Sequence, residues 1–176
     1  AEARSNLAFL IHMRGDFDTA IEDLQKLLQE RDDAVIWNNL AIAFAHKDRI
    51  SEALEAYKKA AEQDVNYADP HNNMGILYSN MGRMTEAMKE YEKALRLRPD
   101  FPEAYNNLGT ANQVQGTIEE SVAAYRESLR IKPNYAEARS NLLFALNYDV
   151  AISPEDLMLE YKAWDKLYGK TETPYQ

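Results

Sequence analysis

The sequence predicts an all-α solenoid of antiparallel helix pairs, closed by a C-terminal capping helix. Three observations lead there. First, RSNLA at residue 4 has near-copies WNNLA at 37, HNNMG at 71, YNNLG at 105 and RSNLL at 139. They set unit starts at Ala1, Ala34, Ala68, Pro102 and Ala136, at intervals of 33, 34, 34 and 34 residues, the scale of a helical repeat. Second, apolar residues inside each unit fall at helical spacing in two blocks. Third, a turn residue separates the blocks at a fixed point: Gly15, Asp48, Gly82 and Gly116.

Numbering each unit from its own first residue gives every element a reason. Helix A carries an apolar stripe at positions 4, 7, 8 and 11; position 7 is Leu7, Leu40, Met74, Leu108 and Leu142. Position 8 is small in Ala8, Ala41, Gly75 and Gly109, which lets a second helix come close. Position 15 makes the turn, where Gly tolerates a left-handed backbone. Helix B carries positions 17, 20, 24, 27, 28 and 30, with Ala20, Ala53, Ala87 and Ser121 at position 20. Position 24, occupied by Leu24, Tyr57, Tyr91 and Tyr125, is read as packing. Pro99 and Pro133 at position 32 stop helix B, because proline has no N–H to donate. The array is expected over residues 1–148, followed over 149–176 by a divergent turn, a capping or junction helix and a tail.

This pattern resembles the tetratricopeptide repeat (TPR), a 34-residue helix–turn–helix unit with a W…L-G…Y…A…F…P signature. Position 4 is Trp only in Trp37, and Val65 replaces the proline of position 32. The resemblance implies that successive pairs stack into a right-handed superhelix whose A helices line the concave side.

The asparagines are then the feature to explain, since Asn is a mediocre helix former. Position 6 is Asn6, Asn39, Asn73, Asn107 and Asn141; position 5 is Asn38, Asn72 and Asn106 in the three central units and serine in the outer two. At about 100° per residue, position 6 lies roughly 200° from position 4, away from the stripe. Two readings stay open. The carboxamides, each donor and acceptor, clamp the backbone of an extended polypeptide without reading its side chains. Alternatively they bond the neighbouring A helix and hold the superhelical pitch. The clamp would use Asn6, Asn39, Asn73, Asn107 and Asn141 with Asn38, Asn72 and Asn106. Ile42, Ile76 and Thr110 at position 9 and Asn80 at position 13 complete the groove. Position 2 is acidic in Glu2, Asp69, Glu103 and Glu137, which suits a groove feature or a helix N-terminus equally. The groove columns hold no Lys or Arg, so a basic carboxylate clamp of the kind that holds acidic chaperone tails is not expected.

Composition narrows the partner. Twenty Lys and Arg against 29 Asp and Glu give a formal net charge of −9, which disfavours nucleic acid and anionic membrane surfaces and leaves a protein or peptide. With no Cys, disulfides and thiolate metal sites are excluded, consistent with a cytoplasmic setting. No phosphate-cradling Gly loop or G-x-S-x-G elbow is present, and His12, His46 and His71 lack metal-ligand spacing. No catalytic residue, metal or cofactor is expected. The chain opens at Ala1 inside a helical pattern without an initiator Met, and is expected to be a piece of a longer protein whose exposed first helix could pair two copies.

Beyond Tyr148 the repeat fails. Ser153-Pro154-Glu155-Asp156 reads as a helix start, and Leu157, Tyr161, Trp164 and Tyr168 as one apolar stripe. The stretch SNLLFALNYDVAISPEDLMLEYKAW, residues 140 to 164, resembles the junction in bacterial relatives of O-linked N-acetylglucosamine transferases, the SPINDLY-like family. That resemblance implies a substrate-recognition array ahead of a glycosyltransferase region; the alternative is a free-standing adaptor or scaffold.

Overall fold

The computed structural model describes residues 17–148 and 152–168, with the side chains of 156 and 166–168 left aside. All nine helices among the described residues are α-helices: α1 (Phe17–Glu30), α2 (Ala34–His46), α3 (Ile50–Gln63), α4 (Ala68–Asn80), α5 (Met84–Leu97), α6 (Pro102–Gln115), α7 (Ile118–Ile131), α8 (Ala136–Leu146) and α9 (Pro154–Tyr168). In repeat numbering α1, α3, α5 and α7 each span positions 17–30, so the 34-residue period maps directly onto helix ends. The first A helix, with Asn6, His12 and the apolar edge expected to pair two copies, lies outside the described residues, as does the 148/149 boundary.

The chain divides into two compact units, residues 1–99 and 100–176. In the first, α2 pairs with α3 and α4 with α5, while α1 packs on α2 through Ala20, Ile21 and Leu24. In the second, α6 pairs with α7, α8 packs on α7, and α9 follows α8. Its core is Val122, Tyr125, Leu129, Ala138, Leu142, Ala145 and Leu146. Ile152 and Leu157 lie against that core, so the start of α9 covers α8 as a cap should. Beyond it the expected stripe loosens: Tyr161 is exposed and Trp164 half-buried, while the Tyr161 hydroxyl accepts from Asn147 Nδ2 at 2.9 Å and Glu160 pairs with Arg139 of α8 at 3.5 Å.

Each hairpin closes on the pair of positions 8 and 24. Tyr57, Tyr91 and Tyr125 are buried. A Cβ on Gly75 would stand 2.4 Å from Tyr91 Cε1, and one on Gly109 2.7 Å from Tyr125 Cδ1. The tyrosine ring thus occupies the space that the missing side chain leaves. The turns follow as expected, with left-handed φ of 73° at Gly82, 82° at Gly116 and 57° at Asp48. Two turns share a further device. Arg49 bonds Glu52 and stacks over Phe44, and Arg83 bonds Glu86 and stacks over Tyr78. Repeat four replaces it with Thr117, whose hydroxyl donates to the Asn112 carbonyl.

Two expectations are corrected. Proline is not what ends helix B: α3 stops at Gln63 with Val65 at position 32, at the same point as α5 and α7. There Asp64 makes the turn, its carboxylate accepting from Asn66 N at 3.0 Å, the local bond by which Asp sets turns. The buried arc of the A helices is also wider than one stripe. Ala43, Leu77, Ala111 and Ala145 at position 10 are buried, whereas Trp37, His71, Tyr105 and Arg139 at position 4 are only half-buried. An A helix packs on its own B helix and on neighbouring helices, so it has no single wet side.

Gly109→Ala drives a methyl into the Tyr125 ring and should cost about 1–3 kcal/mol in urea melts, the usual range for overpacking. Burial pushes the Tyr91 phenol up to about 12. An unfolded phenol ionises first, near pH 10. The folded state then holds the extra proton, so stability is intact below pH 10 and falls between pH 10 and 12. Absorbance at 295 nm should show tyrosinate appearing together with unfolding in that window, and Tyr91→Phe should weaken the dependence.

Candidate functional site

Hydrophobic periodicity presses the A helices side by side, and the asparagines meet where they touch. Asn73 Nδ2 donates to Asn38 Oδ1 at 3.2 Å, joining α4 to α2. Asn141 Nδ2 donates to Asn106 Oδ1 at 3.0 Å, joining α8 to α6. The rule is the same in both compact units: position 6 of one repeat donates to position 5 of the repeat before. Asn106, 1% exposed, also donates to Glu137 Oε1 at 3.1 Å. An amide buried this deeply is tolerated because its bonds are made.

Of the predicted site residues, Asn38, Asn39, Asn72 and Asn106 are buried, and Asn73, Asn107 and Asn141 half-buried. Asn6 lies outside the described residues. Asn73 and Asn141 therefore stand at the seam between A helices rather than opposite the packing stripe. The wheel treats a helix as having one neighbour, and these have more. Asn73 also accepts from Asn72 Nδ2 at 3.5 Å, and since an amide offers two N–H groups and two lone pairs, one of each is left. The open face passes to positions 9 and 13. Ile42 is half-buried, Ile76 is 37% exposed, and Asn80 and Thr110 are exposed. In the second unit Val114, Phe144 and Tyr148 stand out at 61%, 54% and 60% exposure, with the Phe144 and Tyr148 rings 5.2 Å apart.

In the first unit these positions border a groove of about 500 Å³. Ile42, Ala45, Ile50, Ile76 and Leu77 supply apolar surface, and His46, Asp48, Asn73 and Asn80 the polar groups. Ile42, Asn73, Ile76 and Asn80 were legible as groove residues; Ala45, Asp48, Ile50 and Leu77 were not. The signal for Asp48 was available, since it breaks the glycine column at position 15. The His46 ring is stacked on Phe17 at 4.5 Å.

The acids of position 2 have partners. Asp69 pairs with Arg98 at 3.0 Å and Glu103 with Lys132 at 3.0 Å, in each case the residue at position 31 of the same repeat. In repeat two both partners change together, to Val35 and Asp64. These pairs tie the start of helix A to the end of helix B, so the acids need neither a ligand nor a helix dipole to account for them. Among the described residues no group of His, Asp and Glu could hold a metal ion, and no helix is long and apolar enough to cross a membrane.

Removing one partner of a rung leaves the other amide short of a bond, which costs about 1–3 kcal/mol when buried. Asn106→Ala should fall in that range, and a double-mutant cycle with Asn141→Ala in chemical melts should return a coupling of about 1 kcal/mol.

Comparisons with known proteins agree with the helix-pair fold. Family models described as "TPR repeat" match residues 43–82 and 78–116, and one described as "Tetratricopeptide repeat" matches 102–135. A peroxisomal targeting signal receptor of Candida albicans is 35% identical over 63 residues, covering 35% of this chain and 11% of its own length. The chain thus matches only about a tenth of that curated relative. Among solved structures, pilF of Pseudomonas aeruginosa aligns with a TM-score of 0.81 at 22% identity, over 98% of this chain and 78% of its own. YrrB, described as a TPR protein with an unusual peptide-binding site, aligns with a TM-score of 0.71 at 17% identity, over 94% of this chain and 85% of its own.

Proposed function

The chain belongs to the tetratricopeptide-repeat family, and on that premise we propose that it binds an extended segment of another protein along the exposed face of its A helices. One observation carries the reading. Between α2 and α4 the repeats pack tightly at the asparagine seam yet leave an unfilled groove of about 500 Å³, with apolar walls and a carboxamide rim. A filled core has no such gap. Apolar surface with a few placed polar groups is the usual make-up of a binding site. The spare capacity of Asn73, and the exposed amide of Asn80, suit a peptide backbone, which presents an N–H and a C=O at every residue.

The asparagines act in two ways on this reading. In the half-buried Asn73 and Asn141 one edge of the amide fixes the spacing of adjacent A helices and the other is left to the ligand, so the pitch-holding and clamping roles coexist, while the buried asparagines serve the pitch alone. Neither α2 nor α4 contains Lys or Arg, so a neutral or basic segment suits the groove better than an acidic one. The peptide-binding site in the description of YrrB belongs to that protein, and lends support as a use of the same fold. The substrate-recognition role ahead of an O-linked N-acetylglucosamine transferase region rests on the Ser140–Trp164 stretch alone. A nucleotide-sugar-binding region encoded after Gln176 would support it, and its absence would favour the free-standing adaptor.

Fluorescence polarisation with a library of end-blocked peptides tests binding. Ile76→Glu places a charge in the groove from a partly exposed position, so the melting curve should hold while affinity falls at least about tenfold, or roughly 1.4 kcal/mol. Peptides that bind Ile76→Glu as tightly as the parent chain would overturn the proposal.

A further inference from the structure

We infer that the groove between α2 and α4 selects segments in which a basic side chain lies close to an aliphatic one, with Asp48 as the residue that reads the positive charge. This rests on the peptide-binding reading above and names what the segment carries.

The groove's walls divide by chemistry. Ile42, Ala45, Ile50, Ile76 and Leu77 make an apolar patch suited to a branched aliphatic side chain, and Asp48 is the sole acid lining it. Asp48 is exposed and forms no ion pair with another of the described residues. Its two sequence neighbours are cations that turn elsewhere: Lys47 pairs with Asp18 at 2.8 Å, and Arg49 with Glu52 at 2.6 Å. The carboxylate is thus flanked by positive charge along the chain, yet those charges are committed to other acids. With no Lys or Arg on α2 or α4, nothing on either groove helix competes for it.

The backbone adds an independent reason. Asp48 has φ of 57°, in the region where Gly82 and Gly116 sit in the next two repeats with φ of 73° and 82°. A side chain there carries a steric cost that glycine avoids, although Asp and Asn bear it better than most residues. The turn needs no side chain at this position, as the glycine turns show. A carboxylate kept at a strained position, on the rim of an unfilled groove, points to a ligand rather than to the fold. A segment that seats Leu, Ile or Val on the patch and Lys or Arg on Asp48 matches both halves of the groove, with its backbone free to bond Asn73 and Asn80.

The test uses end-blocked nonapeptides with a fixed central Leu. A Lys one or two positions away is compared with Gln or Glu at the same place, and binding is read by fluorescence polarisation. At low salt the Lys peptides should bind about threefold to fivefold tighter than their Gln counterparts, the scale of a partly exposed ion pair, and the Glu peptides weakest. The gap should close as salt rises. In Asp48→Asn and Asp48→Gly the ratio should fall to near one. Both variants suit a left-handed backbone, so each should melt at or above the parent temperature. Equal binding of Lys and Gln peptides by the parent chain overturns the inference while leaving peptide binding standing, as does a gap that survives in both variants. No measurable binding of any peptide overturns both.

Discussion

The contact on which the molecule depends is the insertion of a position-24 tyrosine ring against a position-8 residue with little or no side chain. It sets the distance between the two helices of a hairpin, and so how far every other side chain must reach. At Gly75 and Gly109 the ring fills the volume of the absent Cβ. In repeat two Ala41 and Tyr57 lie in one buried cluster. The phenolic ends are satisfied by local means, as where the Tyr125 hydroxyl donates to Gln113 Oε1 at 3.0 Å. Because the hairpins share this geometry, their A helices can be laid side by side, and the spacing that results makes both the amide rungs and the groove.

Function then follows from what the packing leaves over. Positions 3, 7, 8 and 10 of the A helices are taken up by the core, positions 5 and 6 by the seam, and positions 9 and 13 are left to face outward. The residues of the last two change from repeat to repeat: Ile42, Ile76, Thr110 and Phe144 at one, His46, Asn80, Val114 and Tyr148 at the other. The small and aliphatic residues of positions 7, 8 and 10 hold the scaffold, and the face they leave outward differs in chemistry from one repeat to the next.

The architecture was legible because one period governed several independent columns at once. Turn glycines, small residues, tyrosines and asparagines all repeat together, so the helix pairs and their turns could be placed in order along the chain. The site was legible only in part. A helical wheel assigns each residue a direction but knows one neighbour, and therefore set Asn39, Asn73 and Asn141 on an open face when Asn39 is buried and the other two stand at a seam between helices. The position-2 acids were visible as a column, but their partners at position 31 lie 29 residues away, beyond the reach of a wheel. Asp48 was read only as a substitute for glycine, because sequence spacing does not say which turns border a cavity.

The offset of the amide pairing has a further consequence. Each central repeat has Asn at both position 5 and position 6, the residue types that meet in the rungs Asn73–Asn38 and Asn141–Asn106, so a repeat copied within either unit would bring the matching residues with it. Such an array can change length by copying its own modules, without new interface residues having to arise. The last repeat departs from this: it keeps Asn141 at position 6 but has Ser140 at position 5. Ser140 can still accept through its hydroxyl oxygen, but on a shorter stem, so a rung of this kind made on it would need its two helices to come closer together.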